Sequence, residues 1–384
     1  MKMNGDKMHL LINFSTLKAG GGQNVAMNFL YAIDKIQLND INIFYFVAQN
    51  SQPHKFLETK GMKNYFVVAS NPIKRILFEI IESEKMLKQW DIDIIYSYFG
   101  YGFFPKEYKQ VVGSADSNLY FPEIDFWKDY KGLSRIKKYL VDQYRIFGIK
   151  QAISVVFENS ALEERGTKIY KLKNTVTIKP SINMSFNDEK FIFPNSIRKD
   201  IFKGLFLCGW HMNKNVLKIP EIAFYLKKAG VDFQFILTAP IYKTNDIYIQ
   251  FMKLVEKYEV QKMCFVVGQV NKEELKSLYE QVDFVFLLSK LESFSNNIIE
   301  SWYFQKPLIV SNEEWAYSIC KKAAYYVNRD NAKEIALKIE QLLKNQEKID
   351  RIISTGLKEL KNYPSIEERI NIEMEYLYNV YKNY

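Results

Sequence analysis

Short runs of consecutive apolar residues alternate along the chain with stretches whose apolar positions recur every three or four residues. His9–Phe14, Ile41–Val47, Asn64–Val68 and Ile92–Tyr96 are runs of the first kind. Val25, Phe29, Leu30 and Ile33 mark one face of the second kind, directly after a triplet of glycines. Uninterrupted apolar strands separated by amphipathic helices predict a parallel sheet covered on both faces. The pattern runs to about Pro180. Residues 183–200 break it with Asn, Asp, Ser and Pro194. A second set then predicts strands Gly204–Gly209, Asp232–Thr238, Met263–Val267, Asp283–Leu288 and Pro307–Ser311. Its helices are Asn215–Lys228, stopped by Gly230, then Lys272–Gln281, Asn296–Gln305 and Asn331–Leu343. After Pro364, Ser365 and Glu368 have capping-box spacing, and Ile366, Ile370, Met374, Leu377, Tyr381 and Tyr384 follow at helical spacing. The reading is α/β, with two doubly wound Rossmann-like domains over 1–185 and 204–364. A linker spans 186–203 and a C-terminal helix 365–384.

Composition adds limits. Of 384 residues, 48% are hydrophobic and 25% charged, which excludes a disordered chain, a collagen and a coiled-coil rod. The net charge is +9, concentrated in the first half, and suits an anionic partner: a phosphorylated ligand, an acidic membrane or a nucleic acid. Cys208, Cys264 and Cys320 are far apart and form no CxxC, so neither a disulfide framework nor a zinc site is expected. That usage fits a reducing cytoplasm. No run reaches the ~20 apolar residues that span a bilayer. His9–Phe14 is short and reads as a first strand, not a signal peptide.

Ligands of open parallel sheets bind outside the strands' carboxyl ends, and two facing sheets would line a cleft with such loops. Three stretches lie there. Lys18-Ala-Gly20-Gly21-Gly22 follows the first strand, and its backbone N–H groups can approach an anion at a helix start. It is not a dinucleotide fingerprint, because Val25 takes the third glycine's place and Val47-Ala-Gln-Asn ends the second strand without an acid. A plain tight turn is the alternative. Gly209-Trp-His211-Met-Asn-Lys214-Asn215 offers a lysine at a strand-to-helix turn, suited to a phosphate or to solvent. His211 has no ligand partner in sequence, and no metal site is expected. Finally, Glu292-Ser-Phe-Ser295-Asn296-Asn297-Ile-Ile-Glu300 opens a helix. On one helix its two carboxylates would stand ~12 Å apart. With Glu292 in the turn both can address one ligand, with N–H groups at Ser295–Asn297 facing an anion between them.

The Glu292-x7-Glu300 pair, the stretch Val267-Gly268 to Ser289, the Gly209 to Lys214-Asn215 turn and the glycine loop together resemble the retaining glycosyltransferases of family 4. The similarity is strong over 204–345 and weak over 50–185. The resemblance implies the GT-B fold, with the C-terminal helix crossing back to the first domain, and a metal-independent enzyme with no cofactor beyond its nucleotide-sugar donor. It assigns Glu300 to the ribose and Glu292 to the donor sugar. Lys214 and the backbone of Ser295, Asn296 and Asn297 would neutralise the diphosphate, with Gly21 and Gly22 bordering it. Three positions depart from the family. Trp210 replaces an Arg, with His211 as a substitute cation. Asp116 or Asn118 stands where many members have a His, and is the nearest substitute for that residue's catalytic contact with the sugar. Ser295 replaces a Gly. The chemistry implied is a front-face displacement in which the leaving phosphate takes the acceptor's proton.

The first domain would receive the acceptor. Glu123 and Asp125 are the candidates for its hydroxyls. The aromatic, glycine-jointed loop 96–104 suits sugar stacking, a membrane interface or the core. Leu133–Lys150 reads as a helix with Leu133, Ile136, Leu140, Tyr144 and Phe147 on one face and five cations against Asp142. Such a helix lies on anionic lipid or is simply solvated. The reading is a cytoplasmic glycosyltransferase, peripheral on the inner membrane face, making a surface polysaccharide such as lipopolysaccharide, capsule or exopolysaccharide. Its partners are a nucleotide-sugar and a glycan or lipid-linked acceptor. A nucleotide-sugar epimerase or phosphorylase of this fold, or a non-enzymatic glycan-binding module, is the alternative. RNA-binding signatures are absent, and no nucleic-acid partner is expected.

Overall fold

The computed structural model describes residues 7–18, 20–36, 38–182 and 186–383. Tyr384, predicted on the closing helix, and residues 183–185, at the start of the predicted break, lie outside them. The chain forms two compact units, Met1–Ile182 with Pro364–Tyr384, and Asn183–Tyr363.

The first unit is built on seven parallel strands: β1 (Met8–Phe14), β2 (Ile41–Ala48), β3 (Tyr65–Val68), β4 (Ile94–Ser97), β5 (Lys109–Ser114), β6 (Ser154–Phe157) and β7 (Thr175–Thr177). Their order is β3-β2-β1-β4-β5-β6-β7. β1 is central because almost every side chain in it is apolar and both of its faces are covered. Leu10 lies beside Ile43 on one flank and Ile94 on the other. The strand order reverses between β1 and β4, and the loops that leave their carboxyl ends carry the glycines and the aromatic stretch.

One face of this sheet packs Phe14, Phe29, Leu30 and Tyr45 with Ile370, Met374, Leu377 and Val380 of the last helix, Ile366–Asn383. The reciprocal cap expected at its start is present: the Ser365 N–H donates to Glu368 and the Glu368 N–H donates to Ser365 Oγ. The other face packs Leu11, Phe46, Ile95 and Phe104 with Phe78 and Leu87. Those two come from a continuous helical stretch, 72–89, interrupted by a π-turn at Phe78–Glu82.

The second unit repeats the plan with six parallel strands: β8 (Phe202–Phe206), β9 (Phe233–Leu237), β10 (Cys264–Val266), β11 (Phe284–Leu287), β12 (Leu308–Ser311) and β13 (Tyr325–Val327), in the order β10-β9-β8-β11-β12-β13. The switch falls between β8 and β11. Gly204 lets the rings of Phe233 and Phe286 close over β8; a Cβ there would lie 2.4 Å from Phe286. The helix expected from Asn215 begins later. Asn215 takes a left-handed φ of 57° between two 3-10 turns, and the α-helix starts at Ile219 with Pro220 in its first turn. Residues 186–200 are irregular and lie on this unit, where Phe186 packs on Phe304 and Lys276 pairs with Asp188.

Candidate active site

Two loops of the second unit are stitched together by one asparagine. Asn213, in the turn after β8, donates from Nδ2 to the Leu291 carbonyl at 2.8 Å and accepts the Leu291 N–H at 3.0 Å. Its own carbonyl accepts the Lys290 N–H at 2.8 Å. This fixes the turn after β8 against the loop after β11. Lys214 and Glu292 then meet, with Nζ 2.5 Å from Oε1, both only partly exposed. Lys214 also lies near Cys208, whose thiol is pushed up to about 12 by burial against the pull of that cation. Burial thus favours the protonated thiol at Cys208.

The loop ends at Ser295, buried and extended, and the helix Asn296–Tyr303 begins. Its first N–H groups have no partner within the helix. Asn297 turns its side chain back to the Leu207 carbonyl at 2.9 Å and anchors that end to β8, while Asn296 is exposed. Glu300 sits one turn along. The Tyr279 hydroxyl donates to it at 2.8 Å. Burial holds its carboxyl above the usual range, and the Tyr279 hydroxyl and Lys272 pull it partly back. The structure thus brings Lys214, Glu292, Ser295, Asn297 and Glu300 to the carboxyl ends of β8 and β11. His211 is exposed at the tip of the same turn. Trp210 faces the protein interior: its ring packs on Tyr248 and Phe251, and its indole N–H donates to Pro240.

In the first unit Gly20 has a φ of 65° and opens the helix Gly20–Ile33. A Cβ at Gly21 would meet nothing within 4 Å, and one at Gly22 would press on Leu17 at 3.0 Å. Phe99, itself at a φ of 51°, stands between Gly22 and Gly113 of β5. Such left-handed backbone is costly for an aromatic residue and is characteristic of functional sites. The sequence carries no sign of it apart from the neighbouring Gly100.

The candidates for the missing His, Asp116 and Asn118, and those for the acceptor, Glu123 and Asp125, all have internal partners. Asp116, just beyond β5, pairs with Arg145 at 3.1 Å; burial pushes its carboxyl up, Arg145 opposes that, and Asp142 adds to it. Asn118 donates to Asp142 at 2.9 Å, and the Trp127 indole donates to the same oxygen. Glu123 pairs with Arg165 at 2.8 Å and Asp125 with Arg135 at 2.6 Å. All four shape the segment 116–130 against the helices Gly132–Gln151 and Ser160–Tyr170. Arg145, Arg165 and Asp142 were not among the expected site residues; the lone acid on an otherwise basic helix was the available signal. In the aromatic loop, Tyr96, Tyr98 and Phe104 are buried, which resolves most of that stretch as core.

Residues 249–359, which include both Glu292 and Glu300, match the family described as glycosyl transferases group 1. The chain superposes over nearly its whole length on solved structures of low sequence identity. A glycosyltransferase from Rickettsia africae matches with a TM-score of 0.71 at 16% identity, covering 98% of each chain. Sucrose-phosphate synthase from Thermosynechococcus elongatus gives 0.69 at 14%, covering 97% and 98%. Anabaena HepE in complex with UDP and glucose gives 0.65 at 13%, covering 97% and 100%. No curated protein sequence matches the chain. The fold is GT-B, two parallel-sheet α/β units as in these glycosyltransferases. The match to the glycosyl transferases group 1 family lies within the second unit.

Proposed function

We propose that the protein is a retaining glycosyltransferase of family 4 that moves a sugar from a nucleotide-sugar to a glycan or lipid-linked acceptor in surface polysaccharide synthesis. The observation that carries this is the Lys214–Glu292 pair, held by Asn213 beside a helix start that presents Glu300 one turn on. A nucleoside diphosphate-sugar matches that order of groups. Glu300 accepts from the ribose hydroxyls, the first N–H groups of the helix and Lys214 meet the diphosphate, and Glu292 meets the sugar. UDP-glucose is bound by Anabaena HepE, which shares the fold. Gly21 and Gly22 border the sugar, Asp116 or Asn118 takes the sugar contact that many members give to a His, and Glu123 and Asp125 serve the acceptor side.

In the reaction the sugar C1–O bond to the phosphate breaks, the acceptor oxygen bonds to C1 on the same face, and its proton passes to the departing phosphate oxygen. Lys214 and the helix N–H groups stabilise the charge that builds there. No metal and no cofactor is assigned a part; the protein groups carry the diphosphate. The test is a thermal-stabilisation scan with UDP-, GDP- and ADP-sugars, followed by NMR of the product anomer. Stabilisation by one base and transfer with retention are expected. No stabilisation by any nucleotide-sugar sinks the reading, and an inverted anomer removes the retaining assignment.

A further inference from the structure

The helix Gly132–Gln151 is mounted with its apolar face outward. Leu133 is 85% exposed and Leu140 65%, and Ile136 and Phe147 on the same stripe are more than half exposed. Its polar side faces the chain instead. Arg135 pairs with Asp125, Lys138 lies over the rings of Trp127 and Tyr130, and Asp142 takes the Asn118 and Trp127 hydrogen bonds. A merely solvated helix would show the reverse arrangement.

A second apolar stripe lies beside it. In the stretch 72–89, Ile73 is 70% exposed and Ile81 67%, with Leu77 and Ile80 between them. The π-turn at Phe78–Glu82 buries Phe78 and Glu79 and leaves the consecutive Ile80 and Ile81 both outside. The two helices flank one loop. The Phe103 N–H donates to Glu79 at 3.0 Å, and the Phe103 ring stacks on Tyr144 at 4.6 Å. Tyr144 in turn donates to the Tyr101 carbonyl. Both helices begin at the carboxyl end of their sheet, the end that carries the glycine loop.

We propose that these two stripes form one membrane-contact surface that seats the first unit on an anionic bilayer. Exposed apolar patches of this extent on a soluble surface mark an interaction site. Charge selects the occupant. The helix carries five basic residues and a single acid, Asp142, which is buried, so its outer side bears no negative charge. A second copy would bring like charges together, whereas anionic headgroups complement them. Leucines and isoleucines entering the acyl boundary with lysines at headgroup level is the geometry of an interfacial helix. Seating by apolar insertion survives salt better than attraction of charges alone. The surface stands independently of the catalytic reading. Its bearing on a lipid-linked acceptor, which would then meet the glycine-loop end of the sheet, rests on that reading.

The test is sedimentation of the full chain with vesicles of phosphatidylcholine alone, or mixed with phosphatidylglycerol, at low and high salt. Binding to the mixed vesicles, weakened but not abolished by salt, is expected. The double variant Leu140→Ser, Ile81→Ser should weaken it by about tenfold or more at either salt concentration. Lys137→Ser should weaken it at low salt only. Unchanged melting and unchanged donor-nucleotide stabilisation show the variants folded and separate this question from catalysis. Hydrogen exchange of the unaltered chain on vesicles should show protection gained at 72–82 and 132–141. Equal binding to neutral and anionic vesicles, no binding to either, or an apolar variant that sediments like the parent overturns the proposal. So does light scattering that finds a dimer dissolved by the same two changes, which would make the occupant a second copy.

Discussion

Glu300 and Glu292 differ in what surrounds them, and their substitutions should separate accordingly. Burial shifts Glu300 toward its neutral form in the folded chain, and the hydrogen bond from Tyr279 opposes that shift only in part. The stability it contributes is complete below its ordinary pKa of 4.5 and is lost as pH rises through the raised value. Glu300→Gln keeps an acceptor for the Tyr279 hydroxyl and should flatten that decline in urea unfolding measured from pH 4.5 upward. A ribose hydroxyl needs the carboxylate, so donor affinity should rise over the same window. Glu300→Ala should weaken donor binding by about 1–3 kcal/mol, the worth of a charged hydrogen bond; calorimetry that finds the affinity unchanged removes the ribose role. Glu292 pairs with Lys214, and under the proposed reaction both serve the departing diphosphate and its sugar. Glu292→Ala should lower kcat more than it alters donor Kd. The diphosphate grip predicted from protein groups alone also implies that activity survives EDTA. Complete loss restored by added metal would refute the metal-independent assignment.

At the level of elements, much of the plan was legible because central strands are uninterrupted apolar runs. β1, β2, β9 and β11 fall within one residue of the expected limits, while β8 begins two residues earlier and ends three earlier than expected. β6, β7 and β13, of three or four residues each, were not among the expected strands. The capping box at Ser365 was readable because it is a local exchange between two side chains. The left-handed Asn215, by contrast, delays its helix for a reason set by tertiary contact: its side chain donates to the Arg329 carbonyl. The Lys214, Glu292 and Glu300 loops were legible as positions after strands, but Asn213 as the tie between them was not, since its partner lies 78 residues away. Ion pairs such as Asp116–Arg145 likewise need the fold to bring them together. Gly204 gives an element-scale prediction. Gly204→Ala places a methyl against Phe286 and should cost about 1–3 kcal/mol by overpacking, read as a lower urea midpoint. A neutral result would mean that β8 shifts without cost.

Across the whole molecule, the last helix is joined to the first unit by a buried charge cluster as well as by apolar packing. Arg369 lies 3.3 Å from Glu158 and 3.1 Å from Glu373, and the Tyr98 hydroxyl donates to Glu373. Burial raises the Glu158 carboxyl, and Arg369 opposes that. Arg369→Met would leave two buried carboxylates uncompensated and should cost about 3–5 kcal/mol in urea unfolding. The loss should shrink in acid and be partly restored by adding Glu158→Gln; a pH-independent loss would point to packing instead. This arrangement also bears on how the protein is made. A ribosome releases residues in order, and the first unit lacks one wall until residues 366–383 emerge, after the entire second unit has been synthesised. The second unit, contiguous in sequence, can complete its structure first although it is translated later. Until then the apolar face around Phe14, Phe29 and Tyr45 stays uncovered on the nascent chain. A stop codon soon after residue 363 would therefore damage the part of the molecule encoded at the opposite end of the message.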